Sequence, residues 1–262
     1  MILVTGATGF VGNKLMKSLK DAVAAPSLRN ATLDDVKRIV EESRADVIIH
    51  TAAISDIGVC EENPEASHLA NVEIPTYLAK ASNGRKLICF SSDQVYSGCK
   101  EAGPYSEETV SPGNIYAAHK IEMEQRVLDI EPTAVMLRAE WMYDMHASKG
   151  NYFTNLLNEE KEVYASSLEY RGVTYLKEVA ENMPKVMELP GGIYNFGSET
   201  NQSIYEITRE FLKVLNKDIA LKDAQGGHNL WMNCQKAKNY GVEFSDVLAG
   251  LIRCGKDYGI IQ

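Results

Sequence analysis

The chain opens with the sequence MILVTGATGFVG (residues 1–12), in which an apolar run leads directly into three glycines spaced G-x-x-G-x-x-G. Residues 14–20 then have the composition of a helix. A glycine-rich turn lets backbone N–H groups approach a pyrophosphate, and a helix N-terminus favours its negative charge. The order strand, turn and helix therefore predicts a nicotinamide dinucleotide site rather than a merely tight turn. The predicted cofactor contacts here are Gly6, Thr8, Gly9, Phe10, Val11 and Gly12.

The identity of the dinucleotide depends on the residues after the second apolar run, residues 22–25. An acidic side chain there would bond the ribose 2′-hydroxyl and indicate NAD(H), but the sequence continues Pro26, Ser27, Leu28, Arg29. Ser27 and Arg29 could instead hold a 2′-phosphate, so the sequence favours NADP(H) over NAD(H) and keeps both open. The alternative for Arg29 is a solvated loop charge.

Short β-like runs alternate with amphipathic stretches through the first 140 residues or so, at residues 2–5, 22–25, 46–51, 86–91 and 134–137. The intervening helices are predicted around residues 34–40, over residues 64–82 with a kink at Pro75, and over residues 114–129. This alternation is typical of a parallel sheet covered by helices on both faces. The sequence therefore predicts an α/β fold of the Rossmann type, a doubly wound parallel sheet.

The alternation loosens after Trp141, and residues 144–151 (DMHASKGN) have the character of a polar connection. We therefore expect a dinucleotide-binding domain over residues 1–145. Residues 146–262 should form a smaller, mainly substrate-binding α/β part, some of whose segments return to the core of the first domain. Its predicted elements are helices at 152–158, 175–189 and 204–216 and a strand at 192–196.

The formal net charge of −9 offers no basic surface for nucleic acid or for an anionic membrane. No apolar run approaches the ~20 residues that span a bilayer, and Met1 leads into a strand rather than a charged leader. The five cysteines are scattered without C-x-x-C spacing, which indicates reduced thiols and a cytoplasmic protein. The histidines form no H-x-x-x-H pair, so no structural or redox metal is predicted, while a loosely held Mg²⁺ bridging carboxylates stays open.

Two further motifs suggest chemistry. Tyr116 and Lys120 form a Y-x-x-x-K pair at the start of a predicted helix, and the apolar run LICFSSD (residues 87–93) ends in Ser92 and Asp93. With the glycine spacing, these motifs resemble the extended short-chain dehydrogenases/reductases. Reduction of a ketone requires a proton at the oxygen as hydride reaches the carbon, and a nearby cation can lower the pKa of a tyrosine that delivers it. Ser92, Tyr116 and Lys120 are therefore the predicted catalytic residues, and Tyr116 and Lys120 also contact the cofactor.

Within that superfamily the chain most resembles the dTDP-4-dehydrorhamnose reductase (RmlD-like) branch over nearly its whole length. The segments that carry the resemblance are FSSDQVYSG (90–98), SPGNIYAAHK (111–120), VMLRAEWMY (135–143) and MNCQKAKNYGV (232–242). The resemblance implies an NAD(P)H-dependent reductase of a nucleotide-linked 4-keto-deoxysugar. It places the cofactor against Ser91, Thr51, Ala52 and Ala53, and the substrate against Ser92, Asp93, Gln94 and Trp141. Independently of the resemblance, Arg171 is the residue of the C-terminal part that could contact a phosphate of the substrate. Asn71 would support the active site.

The chain also departs from that branch. Gln94 replaces a usual tyrosine, Ala139-Glu140 replace Thr-Ser, and the segment RGVT (171–174) replaces a shorter S/A-P-T. Glu140 would place a carboxylate near the nicotinamide or the substrate.

Two alternative functions therefore remain open: a nucleotide-sugar epimerase or dehydratase, and a non-catalytic cofactor-binding regulatory subunit resembling that of methionine adenosyltransferase. Homodimers are common in the superfamily, although no interface stripe stands out in this sequence.

Overall fold

The computed structural model describes residues 1–146 and 150–262. Ten strands lie in this part of the chain. They are β1 (Ile2–Thr5), β2 (Ala22–Ala24), β3 (Val47–His50), β4 (Lys86–Ser92), β5 (Val135–Ala139), β6 (Trp141–Tyr143), β7 (Glu162–Ala165), β8 (Val173–Tyr175), β9 (Gly192–Phe196) and β10 (Ala220–Asp223).

Eleven α-helices accompany these strands in the described residues. They are α1 (Phe10–Ser18), α2 (Leu33–Ser43), α3 (Ile57–Glu62), α4 (Pro64–His68), α5 (Ile74–Ser82), α6 (Ile115–Ile130), α7 (Tyr152–Asn158), α8 (Leu176–Glu188), α9 (Ile204–Val214), α10 (Gln235–Lys238) and α11 (Val247–Asp257).

The main sheet is parallel, has six strands and runs in the order β2-β1-β3-β4-β5-β9. The predicted Rossmann-type α/β fold is thereby confirmed. Strand β1 is flanked by β2 on one side and β3 on the other, so the strand order reverses there. In open α/β sheets, ligands bind beyond the carboxyl ends of the strands at such a switch point. The glycine turn after β1 lies at this edge.

Local sequence explains where the helices that matter for the site begin. Thr32 caps α2 through a reciprocal pair of hydrogen bonds with Asp35. Asn114 caps α6, its side-chain oxygen accepting a hydrogen bond from the Ala117 N–H at 2.8 Å. The Glu61 carboxylate accepts from the Ile115 N–H at 2.8 Å, which satisfies another donor of the first turn. Tyr116 and Lys120 thus sit on a well-anchored helix start.

The predicted interruption near Pro75 takes a different form from a simple kink. A π-helical turn, Leu69–Glu73, joins α4 to α5, and the Ile74 N–H bonds the Leu69 carbonyl five residues back. Pro75 then occupies the first turn of α5, where its missing N–H costs nothing. The wider turn before the proline replaces the predicted kink.

Two small parallel sheets, β10-β7 and β6-β8, complete the architecture. Strand β9 belongs instead to the main sheet, and the division at residue 145 stays a prediction. Part of the polar connection predicted at 144–151 lies outside the described residues.

Buried side chains form layers on the main sheet, one around Ile88, Leu137 and Met183 and another around Ile48, Leu78 and Met136. The alternate residues of β4 and β5 face opposite layers, which is why these strands are almost continuously apolar. A third core lies around Tyr143, Phe153 and Phe211 in the second part of the chain. Among the described residues, no helix is both long enough and apolar enough to cross a bilayer.

Candidate active site

The glycine turn has two positions that tolerate no side chain. Gly6 has φ +70°, and a Cβ there would lie 2.7 Å from the backbone nitrogen of Ala52. A Cβ at Gly12 would lie 2.2 Å from the Gly6 carbonyl oxygen. These contacts press the start of α1 and the loop after β3 against the turn, which explains two of the three glycines without any ligand.

Gly9 differs, because a Cβ there would have one close neighbour, the Gly6 oxygen at 3.2 Å. Gly9 is exposed and is the N-cap of α1. No side chain of the described residues caps this helix, so its first N–H groups are available to a bound anion. The turn therefore fits the pyrophosphate that the spacing predicts, with exposed Thr8 and half-buried Phe10 and Val11 beside it.

The loop after β3 is fastened to the same turn. The Thr51 hydroxyl donates to the Thr5 carbonyl at 2.8 Å, and Ala52 packs against Gly6. Ala53, which follows, is exposed. Beneath them, Thr5 Oγ1 and His50 Nδ1 lie 2.7 Å apart in the core. Thr51, Ala52 and Ala53 thus border the predicted cofactor site.

Ser27 and Arg29 lie exposed beyond the end of β2, and the Arg29 N–H donates to the Ser27 hydroxyl at 3.3 Å. They line an open groove of about 570 Å³ that also receives Arg38 from α2. Arg38 pairs with Asp35 at 3.0 Å but remains largely exposed. No local sequence pattern links Arg38 to this groove, because Arg38 lies nine positions beyond Arg29 and on a different element, α2.

The predicted catalytic residues meet at the carboxyl edge of β4. Tyr116 is 7% exposed and lies near the Ser92 side chain, whose hydroxyl donates to Asp93 Oδ1 at 3.1 Å. The Lys120 ammonium group donates to the Phe90 carbonyl at 2.9 Å and lies 5.6 Å from the centre of the Tyr116 ring. The site therefore brings together a serine and a tyrosine, and a buried lysine lies next to the tyrosine ring.

Burial dominates the protonation of this group. It lowers the pKa of Lys120 to about 8, against a weaker opposing effect of Cys89. It raises the pKa of Tyr116 above its ordinary value, and the nearby Ser92 hydroxyl only partly offsets that increase. The prediction that the lysine would lower the tyrosine pKa is therefore wrong for this arrangement, because desolvation of the phenolate is the larger effect. A neutral tyrosine is nonetheless the form that can donate a proton.

Three of the predicted substrate residues form one cluster. Arg171 donates from Nη2 to Asp93 Oδ2 at 2.6 Å, and its guanidinium carbon lies 3.8 Å from the centre of the Trp141 ring. Asp93 and Arg171 are buried, whereas Trp141 is 55% exposed. Burial raises the pKa of Asp93, and the Arg171 charge counteracts it. Gln94 lies apart from this pair, accepting from the Asn114 amide at 3.2 Å.

Glu140 lies at the same edge of the sheet. Its carboxyl oxygen accepts from the Thr174 hydroxyl at 2.5 Å and from the Ser198 N–H at 2.7 Å. Burial raises the pKa of Glu140 to about 8, and the nearby Asp93 charge adds to the increase. The carboxyl is 94% buried among protein groups. The carboxyl group expected at Glu140 therefore lies beside the cluster of Asp93, Arg171 and Trp141. It is hydrogen-bonded to other groups of the protein and is not open to a ligand.

A buried polar network lies behind the site, and no local sequence motif indicates it. The Ser91 hydroxyl donates to Glu124 at 2.6 Å, and Glu124 receives two hydrogen bonds from Arg138 at 3.0 and 2.7 Å. Arg138 also donates to Tyr96. Ser91 therefore uses its side chain to join α6 to β4 and β5, and its contact with the cofactor stays a prediction. Glu124 and Arg138 stand on different elements, and no local motif links them.

Asn71 lies fully buried in the π-helical turn. Its side chain donates to the Ile54 carbonyl at 2.9 Å and accepts from the Ile54 N–H at 3.2 Å. It thereby fixes the loop that follows Ala53. The described residues contain no group of three or more His, Cys, Asp or Glu side chains suited to a metal ion.

A cavity of about 570 Å³ adjoins Trp141, with a mainly apolar and aromatic lining. The aromatic and aliphatic side chains that line it include Tyr143, Tyr152, Leu156, Val163 and Tyr164. Asn151 and Asn155 add polar groups. Its volume falls within the range of small-molecule sites.

Comparisons with known proteins agree with this geometry. Methionine adenosyltransferase 2 subunit beta of Xenopus tropicalis is 31% identical over 233 residues, covering 79% of this chain and 69% of that protein. The dTDP-4-dehydrorhamnose reductase of Aggregatibacter actinomycetemcomitans is 27% identical over 227 residues, covering 78% of this chain and 76% of that protein. The crystal structure of the Bacillus anthracis dTDP-4-dehydrorhamnose reductase with NADP has a TM-score of 0.84 at 21% identity, covering 98% of both chains. The model of the RmlD substrate binding domain matches residues 1–228, and the chain belongs to this family.

Proposed function

We propose that the chain is an NAD(P)H-dependent reductase of a nucleotide-linked 4-keto-deoxysugar, as the name of the Aggregatibacter relative implies for that protein. The observation that carries the proposal is the meeting of Ser92, Tyr116 and Lys120 at the carboxyl end of β4, the same edge of the parallel sheet at which the glycine turn follows β1. Perturbed pKa values cluster at functional sites, and the buried Lys120, whose pKa is held near 8, supports the enzyme reading.

The residues fit a dinucleotide. The open Gly9 position and the uncapped start of α1 would receive the pyrophosphate, and Ser27, Arg29 and Arg38 would face the adenosine ribose. Three basic or hydroxyl groups and no second-strand carboxylate favour NADP(H), and NADP accompanies the Bacillus anthracis structure. A reduced nicotinamide supplies a hydride when bound. The chain itself must bind the ketone, orient it and deliver a proton.

Each catalytic side chain has a role that its geometry supports. Tyr116, neutral at physiological pH, holds the proton that passes to the carbonyl oxygen. Ser92 lies near that phenol and orients the same oxygen. The Lys120 ammonium group keeps one hydrogen bond to Phe90 and has further N–H groups for a ribose hydroxyl. Because a single pKa near 8 governs its charge, the lysine should remain mostly protonated at pH 7.

Recognition would fall to the cluster and the cavity on the other side of the site. Asp93 and the exposed ring of Trp141 would contact the sugar. The cavity beside Trp141 would hold another part of the nucleotide sugar. Arg171 has a buried Nε without a hydrogen-bond partner among the described residues, so it retains a donor for an anionic group.

The test is oxidation of NADPH or NADH, followed by absorbance, with dTDP-4-dehydrorhamnose as substrate. Tyr116→Phe should lower kcat by roughly 10²- to 10⁴-fold, because the proton donor is removed. The matched control is Tyr240→Phe, whose ring is 51% exposed and distant from these groups. If wild type oxidises neither dinucleotide with any 4-keto-deoxysugar nucleotide, or if Tyr116→Phe retains full kcat, the reductase assignment is wrong.

The similarity to methionine adenosyltransferase 2 subunit beta favours a second candidate, a regulatory subunit that keeps the cofactor fold. This version predicts a raised melting temperature with a dinucleotide, no turnover, and a stoichiometric partner recovered from cell extract. The epimerase or dehydratase reading predicts turnover without net oxidation of the dinucleotide.

We also propose a cytoplasmic location and a homodimer, the latter to be tested by light scattering of the purified chain.

A further inference from the structure

The end of the main sheet brings three strand-following residues together. Ser92, Ala139 and Phe196 pair across β4, β5 and β9 in one register. The next residues along the chain are Asp93, Glu140 and Gly197, which therefore leave the sheet at the same level. Glu140 stands between the residue that binds Arg171 and a glycine of the neighbouring strand end.

The side chain of Glu140 fills the space that two glycines leave open. A Cβ at Gly172 would lie 2.0 Å from Glu140 Oε2, and a Cβ at Gly197 would lie 2.4 Å from Oε1. The hydrogen bonds from Thr174 and Ser198 hold the carboxyl in this slot. Glu140 thus joins the end of β5 to the segment before β8 and to the end of β9.

Both members of the stack of Arg171 on Trp141 are chain neighbours of this junction. Trp141 follows Glu140, and Arg171 precedes Gly172. Arg171 lies against the Trp141 ring and donates to Asp93. A shift of the Glu140 side chain therefore moves the ring, the guanidinium group or both, and with them the carboxylate of Asp93.

We propose that Glu140 is a positioning residue: wedged between Gly172 and Gly197, it sets the arrangement of Asp93, Arg171 and Trp141 that receives the substrate. The substrate part of this statement rests on the proposed reductase function, whereas the arrangement of the three side chains does not. Glu140 touches neither the phenol of Tyr116 nor the ammonium group of Lys120 in the hydrogen bonds of the described residues, so it acts through its neighbours.

The charge of Glu140 gives the arrangement a pH dependence. The groups that influence it electrostatically are Asp93 from the end of β4, Arg171 from the segment before β8 and the thiol of Cys234 from the C-terminal segment. Its pKa of about 8 means that the carboxyl is mostly protonated at pH 7 and becomes an anion above that value. The new anion competes with Asp93 for Arg171, so the stack on Trp141 should loosen as the pH rises.

The fluorescence of Trp141 depends on its stacking with Arg171, so it monitors this contact in the absence of substrate. The chain has two tryptophans, and Trp231→Phe leaves Trp141 as the single emitter. In that background we expect the emission to change between about pH 6.5 and about pH 9.5 with a midpoint near 8, and the change to vanish in Glu140→Gln. Lys120 titrates in the same range but is present in both proteins. The matched control is Glu178→Gln, a buried carboxyl of α8 bound to Ser245 and Arg253.

Glu140→Ser provides a second measurement. It empties the slot between the glycines, so acrylamide quenching of Trp141 should increase about twofold. In the reductase assay KM should rise about tenfold with kcat changed less than about threefold, since recognition and not proton transfer is affected. A pH transition that persists in Glu140→Gln, or quenching unchanged in Glu140→Ser, overturns the proposal. Absence of turnover in every protein, with the fluorescence results as expected, rejects the reductase function instead.

Discussion

The buried charge of Lys120 should lower the free energy of unfolding, so replacing this residue should stabilise the protein. The substitution Lys120→Met keeps an unbranched side chain of similar length and removes the buried charge. Burial lowers the lysine pKa from 10.5 to about 8, a gap of about 2.5 units that corresponds to about 3 kcal/mol. The lost hydrogen bond to the Phe90 carbonyl removes about 1 kcal/mol of stabilisation. The net expectation at pH 7 is a variant more stable by about 2 kcal/mol.

The pH dependence of the free energy of unfolding follows from the number of protons that each state binds. Between pH 8 and pH 10.5 the unfolded chain still carries the Lys120 proton that the folded chain has released. The unfolded state then binds more protons, so the free energy of unfolding of the wild type rises with pH through this window. Lys120→Met lacks this gain. The stability difference between the two proteins should therefore shrink from pH 7 to pH 9.5.

The assay is urea unfolding of the protein without dinucleotide at both pH values. Lys17→Met, on the exposed face of α1, is the control and should change the free energy of unfolding by less than about 0.5 kcal/mol. If Lys120→Met unfolds at lower urea than wild type at pH 7, or if its advantage persists undiminished at pH 9.5, the buried-charge argument is refuted. Turnover should be lost in either case, because the site keeps this lysine at the expense of stability.

Three further predictions concern the same neighbourhood. Glu124→Gln should lower the free energy of unfolding by about 3–5 kcal/mol, since it leaves the buried Arg138 charge without its partner; urea titration checks it, and a loss below about 1 kcal/mol would contradict it. His50→Gln should protect against acid: burial lowers the pKa of His50 from 6.5 to about 3, so wild type loses stability as the pH falls through that window, by about 5 kcal/mol in all. Acid-unfolding midpoints of the two proteins test this, and equal midpoints would rule it out. Gly12→Ala drives a Cβ against the Gly6 backbone and should abolish the rise in melting temperature with NADPH; an unchanged rise would show that the turn can adapt.

The main sheet could be predicted because its strands are apolar runs between helices with regular spacing. β1, β3 and β4 were placed to within a residue or two, and their order along the chain implied a parallel sheet. Strands β6, β7, β8 and β10 have only three or four residues each, and β6, β7 and β10 also expose part of them, so neither alternation nor apolar length marked them. Helix α11 was also missed, although Val247, Leu251 and Cys254 form a buried face.

The candidate site divides in the same way. Gly6, Gly9 and Gly12, or Tyr116 and Lys120, are close in sequence, and local spacing revealed them. The partnership of Asp93 with Arg171 spans 78 positions and depends on how β4 and β8 are placed. Burial reversed the predicted direction of the Tyr116 pKa, and no sequence pattern reports how dry a pocket is. Long-range pairing and desolvation are properties of the folded chain.

The shared register of Ser92, Ala139 and Phe196 has an evolutionary consequence. The hydrogen bonds of the sheet fix the backbone position of the last residue of each strand. The backbone position of the following residue is therefore set by the sheet and not by its own side chain. Tyr116 and Lys120 come from a helix, so their backbone positions do not depend on the residues along that rim, although the charge of Asp93 influences the pKa of Tyr116. If the proposed reductase function holds, substrate choice could change through substitutions at positions 93 and 140, and at position 197 only together with position 140, because a side chain there would collide with Glu140. A combinatorial library confined to those three positions is the natural starting point for redesigning substrate choice.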